Sequence, residues 1–375
     1  MITDKIIRSA TIENMADENG VVDVEKLGNL YNNISAQTII TGFTYVSENG
    51  RAMQKLQAGM VDDEHKNAWA KLANKVKTNN PDKKLIIQLA HTGRQTTRQN
   101  AVGASNKKCS YFRNKVRALT ETEIKTIIGD FANSAKMAKE AGFDGVQIHA
   151  AHGYLIHQFL SPYTNTRKDR YKDGNLFLVE ILNAVRLACG ADFPIWVKIS
   201  WADDKGLTLN QTIETVKRIE VLVDNIEVSY GTMEYALNII RGNCPTNLVF
   251  EVNPLFNKYP KFIKSLAKKV LESKYLKIFK PFSKNYNLEA ALEIKKHIKT
   301  PITVVGGIRE LKDIEDILNS GIDMVSMCRP FICEPDLINE IENGEWQKSA
   351  CTNCNLCTIY CDSENSVKCY RGKNG

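Results

Sequence analysis

The amino-acid sequence predicts an α/β protein built as a closed (β/α)8 TIM barrel. Apolar runs of strand length alternate with amphipathic helical patterns, which is typical of parallel sheets made from βαβ units. Eight such alternations suit a closed barrel, whereas an open doubly wound sheet is the competing architecture. No G-x-G-x-x-G motif follows the first predicted strand, which disfavours a Rossmann dinucleotide site. The 375 residues, 43% of them hydrophobic, have ordinary globular composition.

The predicted strands share short runs of β-branched and other apolar residues. They lie near Ile6–Ala10, Thr38–Thr41, Leu85–Ala90, Gly145–His149, Ile195–Ser200, Asn225–Ser229, Ile302–Val305 and Asp323–Met327. Helical periodicity follows most of them, most clearly over residues 121–141, 176–188, 212–223 and 288–298. The connections after predicted strands 3, 4 and 6 are long, and such loops build the functional face of a barrel.

The connection after predicted strand 6, residues 231–286, is expected to be a lid insertion. Nine lysines and one acid, Glu272, lie between Lys258 and Lys284, so this segment carries +8 and the rest of the chain sums to −1. An apolar stripe predicts an amphipathic helix that packs the lid on the barrel with its lysines outward. The stripe comprises Ile263, Leu266, Ala267, Val270 and Leu271. The alternative is a solvated helix whose charge has no role.

Composition also limits the location and the partners of the protein. No apolar run approaches the ~18 residues of a membrane span, and the sequence after Met1 has no signal-peptide h-region. The net charge of +7 is concentrated in one segment, so it does not indicate nucleic-acid binding. We therefore expect a cytoplasmic protein without a membrane or nucleic-acid partner, while composition does not indicate its oligomeric state.

Three polar side chains occur where predicted strand 4 ends. His149 and His152 face opposite ways in an extended strand, but a tight turn at Gly153 allows both imidazoles to converge on one oxygen. Two imidazole donors can polarise a carbonyl group or hold an anion, and the hydroxyl of Tyr154 can supply a proton. Metal ligation by the histidines is the competing interpretation, but no Asp or Glu lies beside them.

Other predicted strands also end in polar or glycine residues. Gln88 lies in strand 3, and Lys198 lies near the end of strand 5, where a buried amine needs an anion or an acceptor. Gly306-Gly307 follows strand 7 and Arg329 follows strand 8, which is the common phosphate site of barrel enzymes.

These residues resemble the old yellow enzyme, or NADH:flavin oxidoreductase, family of FMN-binding barrels. The likeness covers nearly the whole chain and is most specific from Asp144 to Pro162, which contains His-Ala-Ala-His-Gly-Tyr, and in the following Thr164–Asp169. Further similar stretches are Arg8–Thr11, Met15–Gly20, Gln88–Arg94 and Arg329–Asp336. One departure is Ile12, which stands where many members carry a threonine or cysteine beside the flavin.

The resemblance implies that FMN binds along these strand ends. Ala10, Thr11 and Gly42 would line the isoalloxazine through backbone contacts, and Gln88 would hydrogen-bond its pyrimidine ring. Lys198 would lie beside flavin N1 and O2 and stabilise the reduced anion. The phosphate would be held by Gly306, Gly307 and Arg329.

The resemblance also implies a catalytic role for each polar residue after strand 4. His149 and His152 would grip the substrate's carbonyl oxygen, and Tyr154 would be the proton donor. The implied activity is hydride transfer from NAD(P)H, through flavin N5, to the activated C=C bond of an α,β-unsaturated carbonyl compound. A flavin-binding redox sensor with responsive thiols is an alternative from another functional class.

Five cysteines cluster near the end of the chain, with the spacing Cys351-x2-Cys354-x2-Cys357-x3-Cys361-x7-Cys369. Without a secretion signal, such a cluster predicts metal binding rather than disulfides. The predicted ligands are Cys351, Cys354, Cys357 and Cys369, for a [4Fe–4S] cluster or zinc, with unligated thiols as the third possibility.

The cluster is reminiscent of the dienoyl-CoA reductase branch of the family, whose spacing is Cys-x2-Cys-x3-Cys instead. It therefore raises an alternative activity, the reduction of an enoyl or dienoyl thioester with electrons drawn through the cluster. We expect a barrel over residues 1–345 that includes the 231–286 insertion, followed by a Cys-rich extension over residues 346–375.

Overall fold

The computed structural model describes residues 1–112, 114–276 and 279–371, and the side chains at 237, 267 and 270–276 lie outside the description. Eight parallel strands form a closed ring, which confirms the predicted (β/α)8 barrel. We number the barrel strands β1 (Ile6–Arg8), β2 (Thr38–Ile40), β3 (Lys84–Ala90), β4 (Gly145–Ala150), β5 (Ile195–Ser200), β6 (Asn225–Ser229), β7 (Ile302–Val305) and β8 (Met324–Met327).

Each barrel strand pairs with its neighbours in chain order, and β1 closes the ring on β8 with Ile6 opposite Val325. A short strand, Thr44–Tyr45, adds to the edge of β3 beside the ring. Within the long connection after β3, Ala101–Gly103 and Val116–Ala118 pair as a separate two-stranded parallel sheet. All eight strand directions therefore bring their carboxyl ends to one face.

The helices of the described chain surround this ring or lie over its carboxyl face. In chain order they are α1 (Val24–Asn33), α2 (Asp63–Asn79), α3 (Glu121–Glu140), α4 (Leu155–Leu160), α5 (Gly174–Cys189), α6 (Leu209–Ile219), α7 (Ala236–Ile240), α8 (Thr246–Val252), α9 (Lys261–Leu276), α10 (Leu288–Lys295), α11 (Leu311–Asn319), α12 (Arg329–Cys333), α13 (Leu337–Glu342) and α14 (Leu356–Cys361). Among the described residues, none of these helices is long and apolar enough to span a bilayer.

Local sequence determines where the outer helices begin. Thr120 accepts a hydrogen bond from Glu123 N, and the Glu123 carboxylate accepts one from Thr120 N, which makes a capping box at the start of α3. Thr208 and Gln211 make the same arrangement at α6. Buried faces of these helices, including Phe131 of α3, pack on apolar strand residues in one continuous core.

The insertion after β6 contains α7, α8 and α9. Two residues of the predicted stripe in α9 are exposed, Ile263 by 40% and Leu266 by 67%. The expectation that these two side chains pack the lid on the barrel is therefore wrong. An apolar stripe on a helix is buried only where another apolar surface packs on it. In this structure α9 packs against α8. Ala267, Val270 and Leu271, the rest of the stripe, have side chains outside the described residues.

The C-terminal extension packs beside the connection that follows β1. The side-chain amide of Asn14 donates to the backbone carbonyls of Cys361, Ser363 and Asn365 at 2.7, 2.9 and 3.0 Å. The backbone N–H of Val367 donates to the carbonyl of Glu13 at 2.9 Å. These bonds hold α14 against the carboxyl face of the barrel.

Candidate active site

A cleft opens at the carboxyl ends of the barrel strands. It brings together residues that are far apart in the chain, and all but one of the residues predicted from the strand ends line it. Those that line it are Ala10, Thr11, Gln88, His149, His152, Tyr154, Lys198, Gly306, Gly307 and Arg329.

Gly42 is the predicted residue that does not line the cleft. Its backbone N–H donates to both carboxylate oxygens of Glu13, at 3.0 and 2.9 Å. Its carbonyl oxygen accepts hydrogen bonds from the hydroxyls of Thr41 and Thr44. The expected backbone contact between Gly42 and a flavin is therefore not supported, because both polar groups of this residue are already used.

The chain turns tightly after β4, as the sequence predicts. His152 has φ +62° and Gly153 has φ +76°, both in the left-handed region that an ordinary side chain rarely adopts. The turn brings the imidazoles of His149 and His152 together, with ring centroids 5.0 Å apart. The ring of Tyr154 lies 5.0 Å from that of His149.

Burial makes this end of the cleft electrically neutral. Burial is the main reason why the pKa values of His149 and His152 lie well below their usual range. The nearby charge of Lys198 lowers both pKa values further. Burial also raises the pKa of Tyr154 well above its ordinary value, with a smaller contribution from Asp362. At neutral pH the two imidazoles are therefore uncharged and the phenol keeps its proton.

The hydrogen bonds of the two histidines show which ring nitrogens already have a partner within the protein. The N–H of Ala151 donates to His149 Nδ1 at 3.3 Å, so the proton of this neutral ring is on Nε2. His152 Nε2 shares a hydrogen bond of 2.9 Å with Ser229 Oγ.

A buried ion pair supports the middle of the cleft. Lys198 Nζ lies 3.2 Å from Glu227 Oε1, and the side chains are 5% and 0% exposed. Lys198 also donates to Ser9 Oγ at 3.1 Å, and that hydroxyl donates to Glu227 at 2.7 Å. Although burial alone would raise the pKa of Glu227, Lys198 and hydrogen bonds from neighbouring side chains lower it. Glu227 is therefore the fixed counter-charge of Lys198.

Gln88 is connected to the same carboxylate through a second amide. Its Nε2 donates to Gln147 Oε1 at 2.6 Å, and Gln147 Nε2 donates to Glu227 Oε2 at 2.8 Å. The hydroxyl of Ser326 in β8 also donates to Glu227, at 2.5 Å. The polar network thus fixes side chains from several strands in the barrel interior.

The other end of the cleft is formed after β7 and β8. Gly306 and Gly307 have φ +116° and +81°, and a Cβ at 306 would lie 2.5 Å from the ring of Tyr286. The strained backbone and the close approach explain why this turn needs glycine. The hydroxyl of Tyr286 donates to the carbonyl of Ile239 at 2.5 Å.

Two guanidinium groups lie beside these glycines. Arg329 donates to Asn355 Oδ1 at 2.7 Å and to the carbonyl of Arg241 at 2.9 Å. Arg309 donates to Asn353 Oδ1 at 2.7 Å from Nη2. Burial, followed by the charge of Arg329, lowers the pKa of Arg309 to about 10. Within the described chain, both guanidinium groups donate to neutral amide and carbonyl oxygens, and neither forms an ion pair with a carboxylate.

The predicted cysteine ligands line one small cavity together with Cys333 of α12. Cys333 and Cys369 lie closest, with sulfur atoms 3.9 Å apart. Burial raises the pKa values of Cys333 and Cys357 to about 12, so these thiols are protonated at neutral pH. Across the described residues, no three metal-ligating side chains are arranged as a metal site. The remaining cysteine of the run, Cys361, lies elsewhere and donates to the carbonyl of Ile12 at 3.7 Å.

Several residues of the site were not identified from the sequence. Glu227 lies between the apolar residues Ile226 and Val228 of β6 and opposite Lys198, a pattern that indicates a buried charge pair. Arg309 follows the glycine pair by two residues, which is a weaker signal. Asn353 and Asn355 could not be identified, because their contacts depend on left-handed backbone turns at φ +57° and +62°. Asp362, which also lines the cleft, has no local signal.

Fold and cleft place the chain among the barrel enzymes whose site lies at the carboxyl ends of the strands. A profile of the NADH:flavin oxidoreductase / NADH oxidase family matches residues 2–271, and the chain belongs to this oxidoreductase family. A profile of the histidine biosynthesis protein family matches residues 282–351, which contain β7 and β8. The family resemblance inferred from the strand-end motifs is confirmed.

Individual relatives are similar over different lengths. An NADPH dehydrogenase of Clostridium acetobutylicum is 30% identical over 79% of this chain and 77% of its own length. A 4,4'-dithiodibutanoate disulfide reductase of Rhodococcus erythropolis is 28% identical over 65% of this chain and 62% of its own. The solved complex of 2-naphthoyl-CoA reductase with 2-naphthoyl-CoA has a TM-score of 0.76 at 23% identity, covering 96% of this chain and 53% of that protein. This chain thus spans less than two thirds of the last two proteins, and the solved structure supports the fold.

Proposed function

We propose that the protein is an FMN-dependent reductase that uses NAD(P)H to reduce the activated C=C bond of α,β-unsaturated carbonyl compounds. The observation that carries this proposal is the convergence of His149, His152 and Tyr154 at one end of a cleft whose other end holds two buried arginines. The proposal includes a cytoplasmic location, a barrel over residues 1–345 with the 231–286 insertion, and a Cys-rich extension.

The chemistry of the donor set fits FMN. Arg309 and Arg329 present buried positive charge beside the Gly306-Gly307 turn, which suits a phosphate group. Lys198 supplies a cationic donor farther along the cleft. We infer that FMN is held by Ala10, Thr11, Gln88, Lys198, Gly306, Gly307, Arg309 and Arg329. Bound FMN would supply the redox chemistry, accepting hydride from NAD(P)H and delivering hydride to the substrate.

The two histidines would bind and polarise the carbonyl oxygen of the substrate. His149 offers Nε2–H, and a Ser229 hydroxyl that donates to His152 Nε2 would leave the His152 proton on Nδ1. Neutral donors in a buried site stabilise the negative charge that develops on that oxygen when hydride reaches Cβ. Because both imidazoles are uncharged, the substrate oxygen is not protonated prematurely.

Tyr154 would complete the addition by giving its phenolic proton to Cα. The C=C bond thereby gains one hydride and one proton, and the phenolate regains its proton from solvent. Burial keeps the pKa of Tyr154 high, so the phenol holds its proton until the carbanion-like Cα forms.

The test is a two-step anaerobic experiment on the FMN-loaded protein. NADPH or NADH should first bleach the visible absorbance of the oxidised flavin. Enones, nitroalkenes and enoyl-CoA esters are then mixed with the reduced protein in a stopped-flow instrument. Rapid reoxidation by enones is expected, whereas flavin reduction without reoxidation by any acceptor would contradict the proposal and favour a redox-sensor role.

A double variant separates the oxygen site from the flavin site. His149→Ala with His152→Ala should retain FMN but weaken phenol binding, because phenolate places an anionic oxygen where the substrate oxygen would lie. Each lost donor should cost ~1–3 kcal/mol of binding free energy. His297→Ala, at an exposed position of the α10 end, is the matched control. Unchanged phenol affinity in the double variant would remove the histidines from the site.

A thioester reductase with an iron–sulfur cluster is the second candidate. It is favoured by one observation, the shared cavity of Cys351, Cys354, Cys357 and Cys369 with Cys333. Iron and acid-labile sulfide would be measured on protein purified without oxygen, in the parent and in a Cys354→Ser variant. Near-stoichiometric iron and sulfide that is lost in the variant supports a cluster, zinc alone indicates a structural metal, and neither indicates free thiols.

A further inference from the structure

A second cavity lies beside the flavin cleft. We call it the apolar chamber, because carbon-rich side chains form most of its walls. Those walls come from the connections after β2 and β3, from the insertion after β6 and from α14. Representative residues are Met53, Tyr111, Phe112, Val249, Phe250 and Ile359.

The apolar chamber joins the cleft at the proposed proton donor. The residues that line both spaces are Gln54, Tyr154, Met233, Ile240, Thr358 and Asp362. A molecule whose reacting carbons lie next to Tyr154 and whose oxygen lies next to the histidines therefore has the chamber as adjacent space. The reaction site and the chamber are therefore adjacent and share a wall that contains Tyr154.

The acids in the chamber wall already have partners. Glu234 forms a buried ion pair with Arg94 at 2.6 Å and accepts a hydrogen bond from the N–H of Ser110. Asp362 accepts hydrogen bonds from Gln54 at 3.1 Å and Asn253 at 2.9 Å. Both carboxylates therefore have their partners within the protein. A ligand in the chamber would gain most of its binding free energy by burying uncharged, apolar surface.

One acceptor in the wall lacks a partner. Gln95 is 1% exposed, and its Nε2 donates to the carbonyls of His152 and Gly153, which fixes the orientation of the amide. Its Oε1 has no hydrogen-bond partner among the described residues. Gln95 therefore adds a buried acceptor without a partner to the side chains that surround the chamber.

We propose that the apolar chamber binds the hydrocarbon body of the substrate, so that the preferred substrates are uncharged enones with an aromatic or alicyclic group larger than the enone itself. This inference rests on the proposed function, because it takes the oxygen site at His149 and His152 as the anchor. Burial of such a group releases water from apolar surface and favours the larger ligand.

Unreactive ligands test the chamber without the chemistry. Phenol and the three phenylphenol isomers share one anchoring hydroxyl and differ by one phenyl ring and its direction. Their dissociation constants would be measured from the long-wavelength absorbance that phenolates produce with a bound oxidised flavin. The best phenylphenol should bind at least tenfold more tightly than phenol, since a phenyl ring buries well over a hundred square ångströms. Equal or weaker binding by every isomer overturns the proposal.

A cavity-filling variant tests the location. Val249→Trp places a large ring into the chamber wall and should reduce the phenylphenol-to-phenol affinity ratio by tenfold or more. The matched control is Val221→Trp, at a position 90% exposed, which should leave the ratio unchanged. If Val249→Trp does not fold, as judged by circular dichroism and FMN content, Val249→Phe makes the same test with a smaller ring. An unchanged ratio in a folded filling variant overturns the location.

NAD(P)H is the competing occupant of the apolar chamber. Its affinity for the filling variants distinguishes this possibility from binding of the substrate's hydrocarbon body. If filling the chamber weakens NADPH binding while the phenylphenol ratio stays the same, the chamber receives the coenzyme and the proposal is overturned. The proposed function fails differently, because then no enone reoxidises the reduced flavin although phenylphenols still bind. Reduction of enones without a preference for the larger ligand removes only the chamber inference.

Discussion

Two buried cationic centres in the same cleft differ in how their charge is balanced. Lys198 has Glu227 at 3.2 Å, and that carboxylate is itself held by hydroxyl and amide donors. Arg329, at the other end, donates to carbonyl and amide oxygens of Arg241 and Asn355. Burying a charge without a counter-ion is costly, so the two ends cannot serve the same purpose.

The difference indicates which positive charge is neutralised by the protein itself and which positive charges are neutralised by an anionic ligand. At Lys198 the fold supplies both partners, so the ammonium is fixed in place before anything binds. At Arg309 and Arg329 neutral oxygens occupy positions that phosphate oxygens can take over with stronger, charge-assisted bonds.

Removal of Glu227 should have the largest effect. Glu227→Gln leaves Lys198 buried without its counter-charge, so the free energy of unfolding should fall by about 3–5 kcal/mol. Chemical denaturation monitored by circular dichroism measures this change. Glu214→Gln is the matched control, because its pair with Lys217 is exposed by 67% and 42% and should contribute little. Equal losses in the two variants would mean that the buried pair is not special.

Tyr154→Phe tests the neutral end of the cleft, where no charge is fixed in advance. Loss of the hydroxyl should slow reoxidation of the reduced flavin by cyclohexenone ~10²-fold or more, which is the usual contribution of a placed general acid. Flavin reduction by NADPH should remain nearly normal. Stopped-flow absorbance follows both half-reactions, with Tyr259→Phe, 46% exposed, as the control. Equal slowing of both half-reactions would indicate a structural role for Tyr154.

Arg329→Met removes one of the cations that lack a carboxylate. FMN affinity should decrease by roughly tenfold to a hundredfold, since a charge-assisted hydrogen bond contributes about 1.5–3 kcal/mol. Riboflavin, which lacks the phosphate, should lose much less, and fluorescence titration measures both ligands. Arg218→Met, at an exposed position, serves as the control. If riboflavin and FMN lose affinity equally, Arg329 does not bind the phosphate.

Asp362 extends the comparison to a buried acid without a cation. Burial raises its pKa to about 6, against the hydrogen bonds from Asn253 and Gln54 that lower it. The folded protein therefore holds a proton that the unfolded chain releases near its ordinary pKa of ~3.9, and the cost of ionising the buried group appears as pH rises through about 6.

Asp362→Asn removes that cost. The free energy of unfolding of the variant minus that of the parent should be larger at pH 8 than at pH 4.5. Urea denaturation of both proteins at both pH values measures this difference. The neighbouring phenol of Tyr154 does not titrate in this range, because its pKa is raised. A difference between variant and parent that is the same at both pH values would show that Asp362 has no such shift.

The exposed lysines should give the smallest effect. Changing Lys264, Lys268 and Lys269 to glutamine removes three charges while keeping helix propensity. We expect a few-fold loss of apparent NADPH affinity at low ionic strength that disappears with added salt, because exposed charges act through a screened field. Neutral enones should be handled as before. Identical salt dependence in parent and variant would mean that the charge of α9 is a solvated face.

The strand ends could be predicted from the sequence because each apolar run is bounded by polar or glycine residues. In a parallel barrel all such ends meet on one face, so Gln88, His149, Lys198 and Arg329 had to be neighbours once the fold was assigned. The contacts of Gly42 could not be predicted, because they depend on where the Glu13 carboxylate lies.

The insertion shows the limit of periodicity. An apolar stripe indicates which face of a helix is less polar, but it does not indicate what covers that face. Ile263 and Leu266 are exposed, and the element recorded against α9 is α8. The acceptor network around Arg309 and Arg329 was equally hidden, since it is supplied by asparagines some 25 to 45 positions away in the chain.

Those asparagines give the extension a thermodynamic role. Asn353 and Asn355 lie between the predicted cysteine ligands, yet their side chains contact the guanidinium groups proposed to bind phosphate. Two equilibria that share such groups must influence each other to the same degree in both directions. If the cysteine cavity binds a metal, as the second candidate function proposes, metal binding should change the affinity for flavin by the same factor by which flavin changes the affinity for the metal. Binding of FMN and binding of a metal by the Cys-rich extension would then be cooperative rather than independent.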